Sequence, residues 1–287
     1  EYNSVFLKFS KNKKIKNFKF FQFDINKDLS QILKIIEDFK PNYIINFAAQ
    51  GDVRTSWQYP EQWYKTNFTS LVNLSNKLIG NKNIKKYLSI STPEVYGSTK
   101  SKISETNYFD PSTPYALSKL AADLHLKLLK KKYDFPVVFC RSANVYGPHQ
   151  LLYRIIPRTI LYAKLNKKIL LHGNGRSKRS FININDVVNA YYIILRKGIE
   201  GEAYHISPTE NQTTILNLVR KICKIINHDF NSLVELSNEN YGQDLNYNLN
   251  SNKLIKLNNW SCKISLDEGI IATNNWIIEN WKILKNA

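Results

Sequence analysis

Tyr43-Ile-Ile-Asn-Phe-Ala-Ala-Gln50 is the run from which the rest of the chain can be ordered. Its apolar front does not alternate with polar residues, as a strand covered on both faces requires, and strands of that kind belong to parallel sheets. It closes on two alanines and a glutamine. Small residues there leave the backbone open at the carboxyl end of the strand, where open α/β sheets receive their ligands. Upstream, residues 18–23 read as a strand, and 29–39 carry a helical period that Pro41 stops. Downstream come a helical stretch at 63–78, a strand at 87–91, a long helix at 114–132 and a strand at 137–141. This alternation predicts an α/β fold, a doubly wound parallel sheet with crossover helices.

After Gly147-Pro148 the pattern changes. A helix at 155–165, a short strand at 168–172 and a turn at Gly173-Asn174-Gly175 are followed by a helix at 186–196. Residues 204–206 read as a strand that rejoins the main sheet, and 265–281 as a Trp-bearing helix. The expected division is residues 1–147 as the sheet domain and 148–287 as mainly a smaller α/β lobe, with 183–207 returning to the first.

Composition narrows the class. Hydrophobic residues make up 43% and charged residues 22% of 287, ordinary for a soluble globular chain. No apolar run is long enough to cross a bilayer and the first residues lack a signal-peptide pattern, so a cytoplasmic location is expected and no membrane partner. Cys140, Cys223 and Cys262 form no CxxC pair and read as reduced. The net charge of +18 is lysine scattered through an Asn- and Ile-rich chain. Its densest clusters, Lys11 to Lys16 and Lys130 to Lys132, have no aromatic platform beside them, so no nucleic-acid partner is expected and an anionic small substrate is. The five histidines show no metal-ligand spacing, and no metal is expected.

The chemistry lies at Tyr115-Ala-Leu-Ser-Lys119, which puts a phenol and an ammonium one helical turn apart on one face. An ammonium close to a phenol stabilises phenolate, so Lys119 is expected to lower the pKa of Tyr115 and make it a base for a hydroxyl proton. Ser91-Thr92-Pro93-Glu94 ends the preceding strand. There Thr92 can share the hydrogen bond to the same substrate oxygen, and Glu94 adds a carboxylate.

Asn46-Phe-Ala-Ala-Gln50, Ser91-Thr-Pro-Glu-Val-Tyr-Gly97, Pro114-Tyr-Ala-Leu-Ser-Lys119 and Asn144-Val-Tyr-Gly-Pro148 together resemble the extended short-chain dehydrogenase/reductases, the NAD-dependent epimerase/dehydratase family. Within it the chain is most similar to nucleotide-sugar dehydratases of the dTDP-glucose 4,6-dehydratase kind. Gly173-x-Gly175-x-x-x-Arg179, Asp186-Val187 and Leu266-Asp-Glu-Gly-Ile270 continue the likeness. The resemblance implies a Rossmann-like domain, a bound NAD that is reduced and reoxidised within one turnover, an NDP-hexose substrate and a homodimer. It implies Tyr115, Thr92, Glu94 and Lys119 as catalytic residues. Asp24, Ile25, Ala48, Ala49, Gln50, Thr66, Ser91, Tyr115 and Lys119 would contact or support the cofactor, and Thr92, Asn144 and Arg179 the substrate.

Three departures from the family pattern stand out. No GxxGxxG lies near residue 1, so the opening β-α-β unit, roughly 30 to 40 residues, is expected to be absent from this chain. Pro93 stands where the dTDP-glucose enzymes have an aspartate that serves as acid for the departing hydroxyl. Asn240 stands where a family arginine precedes Gly242-Gln-Asp244, with Arg158, Arg176 and Lys178 as replacements. Dehydration of an NDP-hexose is the first reading, epimerisation or decarboxylation the second, and a truncated non-catalytic nucleotide-binding protein the third.

Overall fold

The computed structural model describes residue 6 and residues 17–99, 101–210, 212–239 and 246–285. The Lys11 to Lys16 cluster, Asn240 and Gly242-Gln-Asp244 lie outside the described residues.

Four parallel strands form the central sheet, in the order Tyr43–Asn46, Lys86–Ile90, Val137–Ser142, Ala203–Ile206. Because all run the same way, their carboxyl ends share one edge. Alternate residues face opposite sides; the inner strands are covered on both, whereas Tyr43 and Ile45 on the edge strand, and Phe47 just after it, are exposed, so this is not the fully covered strand its sequence suggests. Tyr87, Val137 and Phe139 pack with Leu71, Leu74, Ala122 and Leu126 on one face, while Leu88, Val138 and Cys140 meet Val187, Ala190 and Ile194 on the other. The helix Ile184–Lys197 and the strand Ala203–Ile206 thus follow second-lobe residues in sequence yet belong to the main sheet.

The long helix Pro114–Tyr133 is well specified at both ends. The Thr113 hydroxyl accepts the Ala116 N–H at 3.1 Å, and proline takes the first helical position. Lys130, Lys131 and Lys132 occupy the last turn, where cations meet the negative end of the helix. Asp134 then closes it in the left-handed region at φ 55°.

Beyond the sheet, helices Ile155–Lys164, Ile215–Ile225 and Leu266–Glu279 bury Ile156, Ile160, Leu218, Ile222, Ile270 and Trp276 against one another. Strand Ile169–His172 pairs in parallel with Val234–Ser237, and Asn144–Tyr146 with Phe181–Asn183. A full capping box at Ser265 and Glu268 starts the last of these helices.

Two expectations are corrected. Residues 18–23 are not a strand: Phe18, Phe20, Phe21 and Phe23 are exposed, and no described strand pairs with the segment. The expected helix over 63–78 is three pieces: Pro60–Trp63, a π-helical turn Tyr64–Thr69, and Ser70–Lys77. The cysteines are free, with Cys140 and Cys223 buried and Cys262 half-buried.

Candidate active site

The strand Lys86–Ile90 delivers Ser91 and Thr92 to the carboxyl edge. Thr92, 4% exposed, accepts the Glu94 N–H at 3.3 Å and so caps the short 3-10 turn Pro93–Tyr96. Gly97 leaves that turn at φ 64°, where a Cβ would run into the Asp110 carbonyl oxygen. The turn is therefore tight, and Glu94 stays half-buried at its start.

Tyr115 sits in the first turn of the long helix beside it, with Lys119 one turn deeper. The Thr92 side chain lies beside the Tyr115 phenol and acts to lower its pKa. Lys119 is 6% exposed, and among the described residues its ammonium has no hydrogen-bond partner. The expected lowering of the Tyr115 pKa is overturned. Burial first, and then the Glu94 carboxylate, push it well above the usual phenol value, and Thr92 and Arg154 pull it back by less. Burial lowers the Lys119 pKa, opposed by Asp123.

Asn67 ties the sheet edge to this helix. Its carboxamide oxygen accepts the Gln50 N–H at 2.7 Å, and its Nδ2 donates to the Gln50 carbonyl at 3.1 Å and to Ser118 Oγ at 2.9 Å. The π-helical turn carries Asn67 to this position, and such turns recur at functional sites. Thr66, beside it, accepts from Asn26 Nδ2 at 3.2 Å and so braces the Asp24-Ile25 turn. The Ser91 hydroxyl is likewise engaged with protein, donating to Asp123 at 2.6 Å.

Glu94, Asn144 and Arg179 open onto one small cavity of about 170 Å³, together with Asp52, Arg54, Arg154 and Tyr247. The Tyr247 hydroxyl donates to Asn144 Oδ1 at 2.6 Å, and the Arg179 guanidinium lies 4.5 Å over the Tyr247 ring. Tyr247, Arg154, Arg54 and Asp52 were not foreseen as site residues. They lie in no run with a recognisable motif, and only the fold gathers them. Arg176 and Lys178 do not join the cavity; they line a separate cleft with Asn174, Asn238 and Asn246. Arg158 sits in the Ile155–Lys164 helix with its Nε buried and unpaired.

A dinucleotide fits the groups at this edge. Ala48, Ala49 and Gln50 are exposed at the carboxyl end of the Tyr43–Asn46 strand, and the buried Lys119 ammonium offers donors that the described protein groups do not take up. Among the described residues no group of three His, Cys, Asp or Glu side chains is placed to hold a metal ion.

A parallel sheet with a Thr-Tyr-Lys set at its carboxyl edge and a second lobe over it defines an extended short-chain dehydrogenase/reductase. The chain belongs to the GDP-mannose 4,6 dehydratase family, whose profile matches residues 4–273. It is 34% identical over 281 residues to the dTDP-D-glucose 4,6-dehydratase of Bos taurus, covering 94% of this chain and 77% of the bovine one. The crystal structure of dTDP-glucose 4,6-dehydratase from Bacillus anthracis in complex with NAD superposes with a TM-score of 0.85 at 28% identity, covering 94% of this chain and 83% of that one. UDP-glucuronic acid 4-epimerase from Bacillus cereus, with UDP-glucuronic acid and NAD, gives 0.84 at 27%, covering 94% and 84%.

Proposed function

We propose that this chain is an NAD-dependent nucleotide-sugar 4,6-dehydratase, which oxidises an NDP-hexose at carbon 4 and eliminates water to a 4-keto-6-deoxy sugar. The observation that carries the reading is Thr92 beside Tyr115, one helical turn from the buried Lys119 and next to a cavity that Glu94, Asn144 and Arg179 enter. The bovine and Bacillus anthracis dehydratases act in the same chemistry.

NAD, when bound, supplies hydride acceptance and return. Ala48, Ala49, Gln50 and Lys119 would hold it, with Asp24 and Ile25 at its far end, braced through Thr66, and Ser91 beneath it. Tyr115 takes the carbon-4 hydroxyl proton, and Thr92 orients that oxygen. For Tyr115 to act as base, Thr92 and the Lys119 and Arg154 charges must offset burial and Glu94. Glu94 is the carboxylate placed to exchange the carbon-5 proton. Arg179 offers a fork for the diphosphate, and Asn144, fixed by Tyr247, a contact to the sugar. Residues 148–287, apart from 183–207, form the lobe that holds the nucleotide sugar.

Incubating the full-length protein with NAD and dTDP-, UDP-, GDP- or CDP-hexoses tests this. Appearance of a 4-keto-6-deoxy product by NMR supports it, and a complete absence of that product with all four nucleotides overturns it. A second reading, epimerisation, is favoured by Pro93, which is buried in the 3-10 turn and has no proton to donate; a stereoisomer as product would select it.

A homodimer is supported by an apolar stripe on the long helix. Leu117, Leu124 and Leu128 are 46%, 43% and 64% exposed on one face, with Tyr64 exposed in the π-helical turn packed against it. A monomeric mass by light scattering at micromolar concentration counts against it. A cytoplasmic place in deoxysugar and polysaccharide supply completes the reading. No helix among the described residues is long and apolar enough to cross a membrane.

A further inference from the structure

The Tyr115–Lys119 face of the helix continues one more turn to Asp123, which is 1% exposed. Its Oδ2 accepts from Ser91 Oγ at 2.6 Å and from the Arg141 guanidinium at 2.8 Å, while Oδ1 is buried without a hydrogen-bond partner. Arg141 is 1% exposed as well, donates to the Tyr96 hydroxyl at 2.5 Å, and stacks over the Tyr96 and Phe109 rings. Tyr96 in turn meets His205 Nε2 at 2.9 Å, and the backbone N–H of His205 donates to the Glu105 carboxylate at 2.7 Å.

A buried ion pair is a poor way to stabilise a core, since apolar side chains of the same volume do as well or better. This one lies directly beneath the site. Asp123 is four residues from Lys119, and Ser91, which fixes its carboxylate, adjoins Thr92. Lys119 itself is buried, and burial disfavours an ammonium. Asp123 is the charged group that acts on it in the opposite sense. Other charged side chains on segments packed against this helix are Arg54, Glu61, Lys65, Lys77, Glu94 and Arg141. Of these, Arg141 lies against Asp123. Lys127 is one turn further along the same helix, and His205, with its pKa pushed down to about 3 by burial, is neutral in the working range.

We propose that Asp123, held by Ser91 and Arg141, is the positioning residue that keeps Lys119 cationic beneath the catalytic tyrosine. It rests on the reading of Tyr115 and Lys119 as the catalytic pair. Arg141 makes the buried carboxylate tolerable without itself touching Lys119, and Ser91 sets the carboxylate's direction.

The test is the protonation of Lys119 in the full-length protein, followed by NMR of lysine labelled with carbon-13 at Cε and assigned with Lys119→Arg. Asp123→Asn is expected to lower the midpoint by about one pH unit or more, and to move the alkaline limb of kcat/KM the same way. If leaving Arg141 unpaired unfolds that variant, Asp123→Asn with Arg141→Met removes both charges, and a downward shift smaller than that of Asp123→Asn is expected, because loss of the Arg141 cation acts the other way. Ser91→Ala, which leaves every charge in place and releases only the carboxylate's direction, should lower the midpoint by less than Asp123→Asn. An unchanged midpoint in a folded Asp123 variant overturns the proposal. The NMR midpoint needs no turnover: a shift without 4-keto product from any NDP-hexose leaves this inference standing and removes the functional reading, and the converse separates them the other way.

Discussion

Two walls meet at the Glu94 cavity, and they are built differently. On the sheet side Glu94, Asp52 and Arg54 line it, and Thr92, Tyr115 and Lys119 stand next to them. This side is tied from behind by Asn67 to Gln50 and Ser118, and by Asp123 to Ser91 and Arg141, all through buried side chains. The wall from the second lobe carries Arg154, Arg179 and Tyr247, brought in by a helix start, a two-residue strand and the approach to another short strand. One tie to the sheet side is the Tyr247 hydroxyl donating to Asn144. On the proposed reading, proton transfer, which demands fixed geometry, falls to the sheet side, and recognition of a charged ligand to the other.

If that division holds, variants on the two walls separate in kinetics. Tyr115→Phe should lower kcat by about 10²- to 10⁴-fold with KM little changed, read from steady-state product formation. A rise in KM of comparable size would break the comparison. Arg179→Ala should do the reverse, raising KM by about 10- to 100-fold at nearly constant kcat, the size of a lost charge-assisted contact.

The sheet side also predicts an acid sensitivity of its own. Burial holds His205 neutral with its pKa pushed down to about 3, whereas in the unfolded chain it has its ordinary value of about 6.5. Between those values the unfolded state binds more protons. Stability is therefore full above about pH 6.5 and falls as the pH drops towards 3, by up to about 1.4 kcal/mol per pH unit from this group. Urea unfolding at pH 7 and 5 should show a smaller loss in His205→Gln than in the natural protein. Smallest of all, Tyr247→Phe removes one hydrogen bond to Asn144, about 0.5–1.5 kcal/mol, and should raise KM by a few-fold. A large fall in kcat there would mean that the second wall also positions the chemistry.

The sheet wall was also the legible one. Leu29–Phe39 could be read to the residue because its apolar period is unbroken and Pro41 stops it. Thr92, Tyr115 and Lys119 sit in short runs at strand and helix ends, where spacing alone sets their geometry. Tyr247 and Arg154 come from distant, motif-free positions, and nothing local marks them. Asp123 and Arg141 were invisible for another reason: in a chain so rich in charge, one buried pair looks like two more surface residues. The Tyr115 pKa was misjudged because helical spacing reports the nearby lysine but neither the burial nor the carboxylate. Residues 18–23 carry a strand's pattern without a described partner, which no local reading can foresee.

The wide turn at Tyr64–Thr69 makes chain length itself a functional variable. A π turn accommodates one more residue than an α turn, so removing exposed Lys65 would let the segment rewind into an ordinary helix. The residues after the deletion would then rotate by roughly 100° relative to the Pro60–Trp63 helix, and Asn67 could no longer face Gln50 and Ser118 together. Single-residue deletions here should be far less tolerated than substitutions at the same exposed position.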